Sequence, residues 1–101
     1  MKTAQIKTID IQAKEWFDKV NGNSYFSAEV TINYGMKNQV NFYIPMTYGY
    51  GDFYKHKAFE EIKKRLNCFK KFDDRTVFWK VYEDCKITAR HSKVESKKRY
   101  L

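Results

Sequence analysis

Phe26, Ala28, Val30, Ile32 and Tyr34 alternate without a break with Tyr25, Ser27, Glu29, Thr31 and Asn33. A period of two sustained over this length fits a half-buried strand and no helix, because successive strand side chains point to opposite faces. Such a strand needs partner strands, and its apolar face needs a cover. Upstream, Ile9, Ile11 and Ala13 alternate with Thr8, Asp10, Gln12 and Lys14. Trp16 then falls out of phase, which predicts a bulge near Lys14-Glu15. Asn21-Gly22 between the two runs predicts a tight hairpin, since both residues tolerate positive φ. Downstream, a turn through Gly35-Met36-Lys37-Asn38 leads to Val40, Phe42, Ile44 and Met46 on one face, with Gln39, Asn41, Tyr43 and Thr47 on the other. Pro45 cannot donate to a ladder, so this strand is expected at an edge or near its end. The first half therefore reads as an antiparallel three-strand meander.

The cover follows. Asp52 is a plausible N-cap for a helix running to about Leu66, with Ala58, Ile62 and Leu66 four apart and Phe59 beside them. Asn67 would stop it, and Lys63-Lys64-Arg65 near its end suit the helix dipole. Lys70 to Asp74 reads as a loop. Val77, Phe78, Trp79, Val81 and Tyr82 are dense in strand formers, so a strand is expected over 76–82. Cys85, Ile87 and Ala89 alternate with Lys86, Thr88 and Arg90, predicting another. The expected fold class is α+β: an antiparallel four- to five-stranded sheet, β-β-β-α-β-β, with one helix packed on one face. Residues 1–101 form one domain, and 91–101 is a basic tail free to flex.

Composition narrows the class of function. At 101 residues there is room for one domain and not two. Apolar residues at 43% exclude a disordered chain, and two Cys exclude a disulfide scaffold. No apolar run is long enough to span a bilayer, and Met1 to Gln5 lack a signal peptide's apolar stretch, so a cytoplasmic location is expected. Eight Phe, eight Tyr and two Trp exceed what so small a core can hold, so some aromatics must lie outside. The net charge of +8 is uneven: residues 52–101 hold 15 basic against 8 acidic residues, residues 1–51 five against four. A basic half suits a polyanion or an acidic protein surface, and equally a solvated face.

Motifs for chemistry are few. His56, His91, Cys68 and Cys85 lack the spacing of a zinc site, and no metal or other cofactor is expected. Buried structural thiols are the plain reading of the two Cys. Glu60-Glu61 point to different sides of a helix, and Asp73-Asp74 is ordinary turn chemistry. No phosphate-binding glycine motif occurs; Gly49 and Gly51 form a fragment only. The unusual stretch is Tyr48-Gly49-Tyr50-Gly51-Asp52-Phe53-Tyr54, with four aromatics in seven residues. Tyr48, Tyr50, Phe53 and Tyr54 are the candidate partner-binding residues, against the alternative of a strand-to-helix corner folded onto the core. Lys55, Lys57, Lys63, Lys64, Lys86, Arg90, Lys93, Lys97, Lys98 and Arg99 are the candidates for contact with nucleic acid or an acidic surface. Tyr25 and Tyr43 share the sheet's second face, a surface open to a partner if no helix covers it.

Two resemblances bear on these residues. Gly51, Lys55, Lys57 and Ala58 after a three-strand meander are similar to the C-terminal half of a double-stranded RNA-binding domain, which opens its second helix with paired lysines after a glycine. The family's first helix is missing here, and strands after the helix do not belong to it. The stretch from Glu15-Trp16-Phe17-Asp18-Lys19-Val20-Asn21-Gly22 through Ala28, with Val30 to Met36 and Tyr48-Gly49-Tyr50-Gly51, resembles small uncharacterised proteins of bacteriophage genomes. That resemblance implies phage origin and, for a protein this size, binding to host machinery or nucleic acid in the host cytoplasm. The expected function is a non-enzymatic protein that inhibits or modulates a host protein or nucleoprotein complex, an anti-CRISPR inhibitor being one instance. The alternative is direct binding of RNA or DNA. A homodimer through a free sheet edge is compatible with either.

Overall fold

The computed structural model describes residues 2–72 and 77–101. The chain is α+β. Its strands are β1 (Thr8–Asp18), β2 (Asn23–Ile32), β3 (Val40–Tyr48) and β4 (Thr88–Glu95). Helices α1 (Phe53–Arg65) and α2 (Phe78–Asp84) lie between β3 and β4. The sheet order is β3-β2-β1-β4. β1 and β2 pair antiparallel, as do β2 and β3, so the meander forms as its alternation predicts. β4 instead joins β1 in parallel, with Thr8 opposite Thr88 and Glu15 opposite Glu95. The sheet is therefore mixed and four-stranded, where an antiparallel one of four or five strands was expected. Parallel neighbours need a long crossover, and the two helices supply it.

The expected strand over 76–82 is the main departure. Its described part is helix α2, which buries Phe78, Val81 and Tyr82. That spacing of three and four is one helical stripe, and burial of the stripe overrides the residues' strand propensity. The helix ends in a left-handed residue, Lys86, at φ 57°. Lys86 N–H donates to the Glu83 carbonyl at 3.1 Å and Ile87 N–H to the Tyr82 carbonyl at 2.8 Å, a Schellman stop with buried Ile87 as its apolar contact. The last strand consequently starts later than expected and runs on through Glu95, so residues 91–95 belong to the sheet. The expected helix is present as α1, and Asp52 occupies its N-cap, although its side chain makes no capping bond.

Register fixes which side chains face the helices. Ile9, Ile11 and Ala13 of β1 stand opposite Ile32, Val30 and Ala28 of β2, all buried. Tyr54, Ala58, Phe59 and Ile62 of α1 pack down on them, and Phe69, Phe78, Val81 and Tyr82 fill the rest of the core. The β1–β2 ladder runs unbroken to Asp18 opposite Asn23, so the expected bulge at Lys14-Glu15 is absent and Trp16 lies on the outer face opposite Tyr25. The bulge is in β3. Ile44 faces Ala28 and Thr47 faces Phe26, leaving Pro45 and Met46 together opposite Ser27. An extra residue reverses the faces beyond it, so Met46 is exposed and Tyr48 is turned to the outer face. Pro45, without an N–H, sits where the ladder is already broken, on the edge strand it predicted. The β1–β2 connection is longer than a two-residue turn. Asp18 Oδ1 accepts from Val20 N–H at 3.0 Å and its carbonyl from Gly22 N–H at 2.7 Å. Positive φ falls on Gly22 alone.

Candidate functional site

The corner between β3 and α1 is built by close packing. Gly49 N–H donates to the Ser24 carbonyl at 3.0 Å, and the Phe53 ring lies where a Gly49 Cβ would be. Phe53 in turn stands edge-on to buried Phe26, 6.0 Å between centroids. Gly51 turns the chain at φ 61°, and its carbonyl accepts from Lys93 Nζ at 2.9 Å. The result is an open depression of about 520 Å³ lined by Tyr48, Gly49, Tyr50, Asp52, Phe53 and His56. Tyr50 is 75% exposed and Tyr48 60%. Exposed His56 stands edge-on to Phe78 at 5.0 Å and to Trp79 at 6.3 Å, and Trp79 is itself 55% exposed. The depression is thus one part of an aromatic patch running from Tyr48 to Trp79.

Three of the four partner-binding candidates meet there: Tyr48, Tyr50 and Phe53. Tyr54 does not. It is 5% exposed, one turn before Ala58 on the buried stripe of α1. Lys55 and Lys93 lie over its ring at 5.9 and 5.6 Å. Burial, with Asp52 second, pushes its hydroxyl pKa up. Trp79 was missed because its segment read as a strand. The three- and four-residue spacing of Phe78, Val81 and Tyr82 was the available signal that Trp79 lies off the buried stripe.

The basic candidates do not form one surface. Lys55 pairs with Asp52 at 3.4 Å, Lys57 with Glu61 at 3.4 Å, and Lys64 with Glu60 and Glu61 at 3.4 and 3.5 Å, all along α1. Lys63 lies over Phe59 at 5.9 Å. Arg90 grips Asp10 with two hydrogen bonds on the outer sheet face. Lys93 points to the helix side and pairs with Glu15 at 2.9 Å. Lys86 serves the helix stop. Lys97, Lys98 and Arg99 form no ion pair among the described residues. Lys98 lies on the Trp16 ring at 5.4 Å and Arg99 on Tyr100 at 5.0 Å.

No described element covers the outer sheet face. Tyr25 stands opposite Tyr48 and Tyr43 opposite Glu29, so the two tyrosines of this face are not cross-strand partners. Tyr25 stacks on Trp16, 5.7 Å apart at 27°, and meets Tyr48 edge-on at 5.7 Å. The β3 bulge turned Tyr48 into this row. Its outer end opens on a second hollow, of about 560 Å³, which Trp16, Phe17, Lys19, Ser24 and Lys97 line with others.

His91 of β4 faces Tyr54, Phe78 and Tyr82, and its Nε2 is buried without a hydrogen bond among the described residues. Burial, then the Lys55 charge, lowers its pKa. Burial also raises the Tyr82 hydroxyl and the Cys85 thiol. Cys68 and Cys85 are free and half-buried. No group of three or more His, Cys, Asp or Glu among the described residues is placed to hold a metal, and Asp73-Asp74 lie outside those residues. No described helix is long and apolar enough to cross a membrane. No protein-family model, curated protein or solved structure matches the chain.

Proposed function

We propose that this is a non-enzymatic binding protein of phage type that docks on a host protein, free or within a nucleoprotein complex, and inhibits or modulates it. The aromatic patch of Tyr48, Tyr50, Phe53, His56 and Trp79 carries the reading. Large exposed rings around a depression are what a monomer's surface avoids unless a partner covers them. Tyr and Trp are also the residues that dominate interface energetics, since each brings much apolar area at little entropic cost. The positive charge along α1 and β4 is largely paired, so its role here is long-range steering toward an acidic partner. An inhibitor of a host defence system, anti-CRISPR activity included, is the concrete form of this function.

The test is a photo-crosslinking residue placed at Tyr50, with Tyr34, exposed in the β2–β3 connection, as the control position. A host protein crosslinked at 50 and not at 34 is expected. Tyr50→Ala and Trp79→Ala should each then weaken binding of that purified protein at least about tenfold, the hot-spot range. Wild-type affinity in both variants, or crosslinking that does not distinguish the two positions, overturns the proposal.

A further inference from the structure

The hollow at the β1–β2 hairpin end is separate from the patch and differs in chemistry. Phe17 occupies a helix-side register position opposite Ser24, yet it is 53% exposed because it lies beyond the core that α1 covers. Trp16 stands on the other face of the same strand. Around the two rings are Lys19 and Lys97, which line the hollow, and Lys98, which lies on Trp16. Ser96 N–H donates to the Glu15 carbonyl at 2.8 Å, extending the β4 ladder and holding the 97–99 basic run beside the rings. Lys19, Lys97 and Lys98 make no ion pair among the described residues. Of the two acids lining the hollow, Glu15 is neutralised by Lys93, and Glu95 has no ion pair among the described residues.

We infer that this hollow binds single-stranded nucleic acid. Rings interleaved with lysines match a strand's own alternation of bases and phosphates: a base stacks on Phe17 or Trp16 while the ammonium groups meet the flanking phosphates. Lys98 already occupies the Trp16 face as a cation. An arriving base displaces it, and the freed lysine meets phosphate. A duplex keeps its bases stacked on one another and offers the rings nothing, so the site discriminates by strandedness. The inference goes beyond the protein-docking reading and does not depend on it.

Fluorescence anisotropy with labelled oligo-dT and oligo-U, and a duplex of equal length, across a salt series tests it. The expected result is single-strand binding tighter than duplex binding, with a negative log-log salt slope. Phe17→Ala should weaken binding about tenfold. Lys97→Gln and Lys98→Gln should each flatten the slope by about one. Glu95→Gln should tighten binding, an effect a merely structural role would not give. Tyr50→Ala should change nothing, which separates this site from the patch. The tighter of the two homopolymers identifies RNA or DNA as the strand. Equal binding of duplex, absence of binding near physiological salt, or a Phe17→Ala variant with wild-type affinity overturns the inference.

Discussion

Asn33 ties the sheet to the N-terminal segment. It is buried at φ 57°, a left-handed conformation that Asn tolerates better than most residues. Its Oδ1 accepts from Lys7 N–H at 2.7 Å and its Nδ2 donates to the Gln5 carbonyl at 2.9 Å. Asn33→Ala leaves both groups without these partners and should cost about 2–4 kcal/mol, read from urea unfolding. Lys86→Gly should do the opposite. Glycine removes the Cβ penalty of the left-handed helix stop, and a gain of about 1 kcal/mol is expected in the same measurement. His91 supplies a pH dependence. Its folded pKa lies below the ordinary 6.5 because burial and Lys55 disfavour the cation. The unfolded chain therefore takes up this proton first. The contribution of neutral His91 is present above the unfolded pKa and is lost as pH falls through it toward the folded pKa. Unfolding midpoints at pH 7.5 and 5.5 should fall less in His91→Phe than in the natural chain; an unchanged difference would show that other groups set the slope.

At the scale of elements, the β3 bulge decides which face Tyr48 serves. Deleting Met46 makes the pairing one-to-one, with Thr47 still opposite Phe26 and Tyr48 still opposite Tyr25 on the outer face. The Tyr25–Tyr48 cross-strand contact should then persist in nuclear Overhauser spectra alongside the β1–β2 contacts, and its loss would show that the extra residue is needed to hold Tyr48 on the outer face. Such a bulge was half legible. Pro45 announced an interrupted edge, but alternation continued through Met46, and only the partner strand reveals the added residue. The meander and α1 were legible because their apolar periods run over two or more turns or pleats. Helix α2 was not: seven residues rich in Val, Phe, Trp and Tyr hold too few turns to outweigh strand propensity. Parallel pairing of β4 with β1 joins segments about 80 residues apart, which local pattern cannot encode. The aromatic corner was legible as a cluster of residue types. Its division into exposed Tyr50 and buried Tyr54 depended on the phase of α1.

The whole molecule is a slab, 45 × 30 × 19 Å, one sheet and one helical layer thick. The helical layer covers one sheet face, and among the described residues no helix or strand covers the other. The aromatic row of Trp16, Tyr25 and Tyr48 crosses that outer face and joins the hairpin hollow to the corner patch. The two proposed surfaces thus lie at the two ends of that row, and a host nucleoprotein would be held by its protein and its strand together. With both contacts available, the combined affinity should exceed either alone, and Tyr50→Ala and Phe17→Ala should each reduce it without abolishing it. The chain has two tryptophans, Trp16 beside the hollow and Trp79 beside the patch. Each surface therefore has its own indole emission. Trp79→Phe leaves a chain that lights up only the strand-binding end, and Trp16→Phe one that lights up only the protein-binding end, so the order in which a natural complex is engaged can be followed in time without attaching a label.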